Sequence, residues 1–125
     1  MNLPDGYLPI MPYLVLKDAF KFISFTKEIL GATLRYDAPR EEGIIMHAEL
    51  QIEDAVIMFC DATEVYLSKP AGMFLYLSNS DKIHDKVVAA GYKILTPLDD
   101  RPYGRGFGFA DEWENQWWIN TPLNK

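Results

Sequence analysis

His47 and Glu49 stand two residues apart in the stretch MHAEL. Side chains two apart in a β-strand share a face. The spacing therefore sets an imidazole beside a carboxylate, a pair able to shuttle a proton. Ile45 and Gln51 fall on the same face by that alternation, and Met46, Ala48, Leu50 and Ile52 on the other. The same pattern also describes an ordinary amphipathic strand with its polar face in solvent.

The aromatic residues form the second group. Trp117 and Trp118 are neighbours, so in a strand one packs as core and the other shows on the opposite face. Phe107 and Phe109 alternate with Gly106 and Gly108, which puts both rings on one face. The glycines between them allow another backbone or a ligand to approach closely. Two readings fit: a ring-lined pocket, and plain aromatic core. Tyr13 and Tyr76 alternate with apolar strand residues and can line such a pocket too. Trp113 falls in a turn, where a contact with a second copy is one use for it. Tyr103 and Arg105 come from YGRG. The planar fork of Arg105 suits a carboxylate or phosphonate ligand, and equally a surface pairing with Asp99, Asp100 or Asp111. His84, near Asp81 and Asp85, reads as solvent-facing. Cys60 is the single cysteine, so an internal disulfide and a CxxC metal site are both excluded. Its neighbours in AVIMFCDA predict a buried thiol.

These side chains need a scaffold, and 125 residues with 49% hydrophobic and 24% charged content suffice for one globular domain with a core. The net charge of −6 excludes a phosphate-gripping surface, and the aromatics are not interleaved with Lys and Arg. Nucleic acid is not an expected partner, whereas a cationic ligand is mildly attracted. No apolar run reaches the roughly 20 residues of a membrane helix. The start, MNLPDGYLPIMPYLVL, has no basic region and is broken by prolines, so no signal peptide is expected and the cytoplasm is the expected location.

The elements repeat. YLVLKDAFKFISFTKEILGA reads as a strand, then a helix capped by Asp18, faced by Phe22, Phe25, Ile29 and Leu30, and stopped by Gly31. Strands are expected over 33–38, 43–52 and 55–62, with a polar loop at 39–42 and a tight turn at Glu53-Asp54. About 60 residues later the order recurs. Phe74 to Leu77 is a strand, Ser78 or Ser80 caps a helix faced by Ile83, Val87 and Val88, and Gly91 stops it. YKILTPL then leads to a hairpin across Trp113 and Glu114. The expected fold is α+β: two βαβββ modules packed side by side, forming a curved eight-stranded mixed sheet with helices on its outer face. Module one spans about 7–66, the linker about 67–72 and module two about 73–121.

These segments, in order PYLVLKDAFKFISFTKEILGA, GIIMHAELQIEDAVIMFCDA, KVVAAGYKILTPL and YGRGFGFADEWENQWWI, resemble the vicinal oxygen chelate superfamily. That superfamily includes glyoxalase I, extradiol dioxygenases, and bleomycin and fosfomycin resistance proteins; the nearer likeness is to its PhnB-like branch. The resemblance implies a cleft on the concave side of paired modules and, commonly, a homodimer. It brings His47 and Glu49 to the border of that cleft and Trp118 into it. It also implies metal ligands near Met11, Met58, Met73 or its neighbour Gly72, and Trp118. None of these is His, Glu, Asp or Gln, and thioethers and indole are poor ligands for Mg, Mn, Fe(II), Ni or Zn. Asp61 and Asn120 are the nearest oxygens. The last turn departs from the family: Glu112 stands where Pro is usual and Glu114 where Gly is usual.

The leading expectation is a metal-independent small-molecule binder of the glyoxalase/bleomycin-resistance type, without cofactor. Its candidate contacts are Tyr13, His47, Glu49, Met58, Tyr76, Tyr103, Arg105, Phe107 and Trp118, and its guest is cationic or aromatic. The alternatives are a metal-dependent lyase or dioxygenase, and an interaction domain whose cleft is filled by its own Met11, Met58 and Met73.

Overall fold

The structure, a computed structural model, describes residues 1–123. The chain divides into two compact units, one over Met1–Lys69 and one from Pro70 onward. The first contains β1 (Tyr13–Leu16), α1 (Ala19–Leu30), β2 (Thr33–Glu41), β3 (Ile44–Ile52) and β4 (Ala55–Asp61). The second contains β5 (Gly72–Tyr76), α2 (Ser80–Ala89), β6 (Lys93–Arg101), β7 (Gly104–Ala110) and β8 (Gln116–Thr121). The eight strands form two four-stranded mixed sheets, ordered β1-β4-β3-β2 and β5-β8-β7-β6. In each, the first strand runs parallel to the last and the other pairs are antiparallel. The architecture is α+β, as expected, with one βαβββ set per unit.

The repeat is written in the backbone. Left-handed residues recur as Asp18 and Asn79, Gly31 and Gly91, Gly43 and Gly104, Glu53 and Glu114, each pair 60 or 61 positions apart. The first pair caps the helices. Asp18 accepts from the Lys21 amide at 3.3 Å and Asn79 from the Lys82 amide at 3.2 Å. The expected cap at Ser78 or Ser80 is thus corrected to Asn79, because Asn enters the left-handed region far more readily than Ser. Ser80 is instead the buried first helical residue. Glu114 occupies the left-handed site of the last turn without a glycine. Asp111 makes this tolerable by accepting from the Trp113 and Asn115 amides, both at 2.9 Å, so the turn is tied by a side chain.

Each helix covers one face of its own sheet. Phe22 of α1 meets Phe59 of β4 edge-on at 5.1 Å, and Leu14, Ala48 and Leu50 share that buried side. In the second unit Trp117, Phe107, Phe109 and Ile119 are buried beside Ile83 and Val87 of α2. Several expectations change. Val88 is exposed. His84 is half-buried, edge-on to Phe107 at 4.9 Å, because α2 lies across β7. β2 runs through the expected loop to Glu41, tolerating Pro39 because it is an edge strand with bulges. One of those irregularities pairs Ala38 with His47 but Pro39 with Ile45, skipping Met46. The face alternation slips there, so Ile45 is buried and Met46 exposed, the reverse of strict period two.

Candidate functional site

The face of the first sheet turned away from α1 carries the chemistry. Leu14 and Phe59 are in register on the α1 side, so Tyr13, in register with Met58, and Met58, in register with Glu49, lie on the other. Tyr36 sits opposite Glu49 on β2. The rings of Tyr13 and Tyr36 stand 5.5 and 6.1 Å from that of His47.

A hydrogen-bonded chain runs through this face. The Tyr7 hydroxyl donates to Glu49 Oε1 at 2.5 Å. His47 Nε2 lies 2.8 Å from Glu49 Oε2, and Tyr13 Oη lies 3.2 Å from His47 Nδ1. An ionised carboxylate only accepts, so Nε2 carries the proton, and in the neutral ring Nδ1 accepts from Tyr13. His47 and Glu49 are therefore paired, as their spacing allows, but Glu49 is only 5% exposed and so is not a solvated surface acid.

Burial pushes the Glu49 pKa upward. The hydrogen bonds from Tyr7 and His47, with the Arg35 guanidinium close by, outweigh it and hold the carboxyl below its ordinary 4.5. The hydrogen bond to Glu49, more than burial, raises the Tyr7 phenol, and burial followed by Cys60 raises Tyr13. Both phenols are thereby kept as protonated donors. A depressed folded pKa contributes stability above the unfolded value, and that contribution is lost as pH falls through the folded one. Urea midpoints measured from neutral pH into acid should therefore fall less steeply for Glu49→Gln than for the parent. Identical slopes would mean that the carboxylate is not held in this way.

The second sheet has its own aromatic face. Trp118 is in register with Phe74, and Phe74 and Tyr76 alternate along β5. Phe74 lies 5.2 Å from Tyr76 and 5.8 Å from Tyr103, ring to ring, and the Tyr76 hydroxyl donates to the Tyr103 carbonyl at 3.2 Å. Trp118 lies over Gly108, where a Cβ would come within 3.1 Å of its ring; the glycine lets the indole lie flat. Trp118 is 36% exposed and its neighbour Trp117 is fully buried, the split that adjacency predicts.

Two candidates lie elsewhere. Phe107 is packed in the core against α2, so its glycine-flanked ring lines no free face. Arg105 is bound to Asp81 at 2.7 Å and Asp100 at 3.1 Å, which raise its pKa and engage its fork. Asp100 was among the pairings read from sequence; Asp81, on the helix, was not. Three further residues on or against these faces, Tyr7, Tyr36 and Phe74, are not marked by the sequence motifs. Phe74 and Tyr36 carried a period-two signal; Tyr7 lies outside any periodic segment. A separate hollow of about 650 Å³, lined by Tyr92, Lys93, Leu95, Asp111, Glu112 and Gln116 among others, contains none of the candidates.

The metal-ligand positions implied by the resemblance do not fit a hard or borderline dication. Met58 and Trp118 offer a thioether and an indole; Met11 precedes β1 and adds another thioether, Gly72 on β5 has no side chain, and Met73 is turned to the Trp117 side. Asp61 is not available as a donor, since its carboxylate accepts from the Ala19 and Ile45 amides at 2.9 and 2.7 Å. Among the described residues, no three of His, Cys, Asp and Glu are grouped to hold a metal ion.

Comparison with known proteins fits this architecture. The model of the Glyoxalase/Bleomycin resistance protein/Dioxygenase superfamily matches residues 9–119. A protein of Mycobacterium bovis, described as uncharacterized, is 25% identical over 128 residues, covering 93% of this chain and 84% of that protein. Among solved structures, TioX from Micromonospora sp. ML1 superposes with a TM-score of 0.77 at 22% identity, covering 91% of this chain and 98% of TioX. TnmS3 from Streptomyces sp. CB03234, an antibiotic binding protein, gives 0.70 at 19% identity, covering 93% and 98%.

Proposed function

This chain belongs to the Glyoxalase/Bleomycin resistance protein/Dioxygenase superfamily, and from that premise we propose that it is a metal-independent binder of small aromatic or cationic molecules. The observation that carries the reading is the placement of aromatic side chains. Tyr13, Tyr36, Phe74, Tyr76, Tyr103 and Trp118 are all exposed, and all lie on or beside the sheet faces that the helices leave uncovered. Flat rings held on a sheet bind other flat molecules through area and quadrupole, with no chemistry required. The net charge of −6 adds a mild attraction for a cation. TnmS3 is an antibiotic binding protein, and its likeness in fold supports a small-molecule guest here.

The proposed contacts are Tyr13, His47, Glu49 and Met58 on the first sheet, and Tyr76, Tyr103 and Trp118, with Phe74, on the second. A cationic aromatic dye such as ethidium tests the reading. It should bind with fluorescence enhancement, and Trp118→Ala should weaken it roughly tenfold, about 1.4 kcal/mol. Unchanged affinity in that variant would remove Trp118 from the site, and no binding by the intact chain would end the proposal. Metal independence has its own measurement: protein purified without added ions should contain well under one equivalent of Mg, Mn, Fe, Ni or Zn and should bind the dye equally after chelation. We also propose a homodimer, which sedimentation equilibrium would reveal as twice the 14.3 kDa chain mass.

A further inference from the structure

We propose that Tyr7 is a built-in occupant of a binding subsite on the first sheet, and that a neutral phenol displaces it. The inference deepens the ligand-binding reading above and rests on it. The two oxygens of the buried Glu49 carboxylate have donors of different origin. His47 comes from the same strand, two residues away, in a fixed ladder. Tyr7 comes from a segment without helix or strand, 42 positions distant. That segment is held by the Tyr7 hydroxyl, by Arg35, whose Nη2 donates to the Asp5 carbonyl at 3.1 Å, and by the Arg35 guanidinium stacked 5.0 Å above the Tyr7 ring. Its apolar side chains Leu3, Leu8 and Ile10 are exposed. A segment that buries so little apolar surface opens at a small fraction of the global stability.

What Tyr7 leaves behind defines what enters. One Glu49 oxygen is bared beside the rings of Tyr13, Tyr36 and His47, with Arg35 above. A buried carboxylate without a donor is unfavourable, so the entering group must donate a hydrogen bond. An ammonium at that point would meet the Arg35 guanidinium, and an anion would meet Glu49 itself. A neutral hydroxyl on a flat ring satisfies both, donating to the carboxylate and offering its face to the guanidinium as Tyr7 does. The subsite thus selects a phenolic end of a ligand, whatever charge the remainder carries.

Tyr7→Phe separates donor from ring. It keeps the cation–π contact and removes the competing hydroxyl. The probes are para-nitrophenol and its methyl ether, para-nitroanisole. Para-nitrophenol should bind Tyr7→Phe about tenfold more tightly than the parent, while para-nitroanisole gains little. Bound para-nitrophenol should be neutral, so its visible phenolate absorption should fall on titration with protein near neutral pH. Deletion of residues 1–8, with circular dichroism to verify the fold, should reproduce the gain. Equal gains for both probes, no gain for para-nitrophenol in either variant, or a phenolate band that persists in the complex would each overturn the proposal. If Tyr7→Phe retains parental dye affinity without a para-nitrophenol gain, the subsite alone is overturned. If the intact chain and both variants bind neither the dye nor either nitro compound, the ligand-binding reading falls with it.

Discussion

Trp117→Ala is expected to lower stability by about 3–5 kcal/mol, whereas Trp118→Ala, one residue along the same strand, should cost less than about 1 kcal/mol. Trp117 has no exposed surface and stacks 6.5 Å from Phe109 under α2. Truncation leaves a cavity among Phe107, Phe109 and Ile119, whose backbones are fixed in the sheet and cannot close over it. It also removes the indole N–H that donates to Asp111 Oδ2 at 2.8 Å. Burial already pushes the Asp111 pKa upward against the pull of its donors, and losing one leaves the acid less satisfied and the last turn less well tied. Trp118 rests on Gly108 with a third of its surface in water, so its removal uncovers little. With typical stabilities of about 5–15 kcal/mol, the first variant would be near the threshold of folding. Its urea midpoint, followed by far-UV circular dichroism, should fall by roughly 2 M. Equal midpoints for the two variants would mean that the β8 register has been misassigned.

Features written in local pattern were legible from sequence. Adjacency split the two tryptophans, the 60-residue recurrence of caps and stops located two βαβββ sets, and order along the chain identified the family. His47 and Glu49 were paired by strand spacing alone. What escaped was set by contacts distant in sequence. Nothing near Tyr7 points to Glu49, because an irregular segment has no period to extrapolate. Arg105 reads from sequence as open to a ligand because its partner Asp81 lies 24 positions away on a helix whose position over β7 no local signal reports. Phe107 and Phe109 were correctly set on one face, but period two cannot say which face the helix will cover. The slip at Met46 arises from bulged pairing with β2, which belongs to the pair of strands and to neither sequence alone. Candidate sites therefore transfer from sequence by residue type, and their side of the sheet must come from packing.

Asp61 illustrates the same limit and supports the second large effect. Its sequence position puts an oxygen at a strand end, near where the family resemblance implies a metal ligand. Its carboxylate is 4% exposed and fully engaged in the fold: Oδ1 takes the Ala19 amide at the start of α1, and Oδ2 takes the Ile45 amide at the start of β3. One side chain thus joins β4, α1 and β3. Thr121, 60 positions later, does the related task in the second unit, accepting from the Ser80 amide at 2.9 Å and donating to the Leu77 carbonyl at 2.6 Å. Asp61→Ala strands two buried backbone donors and removes a negative charge from the first turn of a helix, and should cost about 3–5 kcal/mol. Asp61→Asn retains one accepting oxygen and turns an amide NH2, itself a donor, toward the other backbone N–H, so it should recover only part of the loss. Thr121→Val leaves one donor and one carbonyl short without losing charge, and should cost about 1–3 kcal/mol. Amide hydrogen exchange gives the site-specific reading, since Ala19 and Ile45 should lose protection together in Asp61→Ala even under conditions where the sheet amides of β3 and β4 remain slow. An Asp61→Ala protein as stable as its parent, with both amides still protected, would free that carboxylate for a ligand and reopen the metal question.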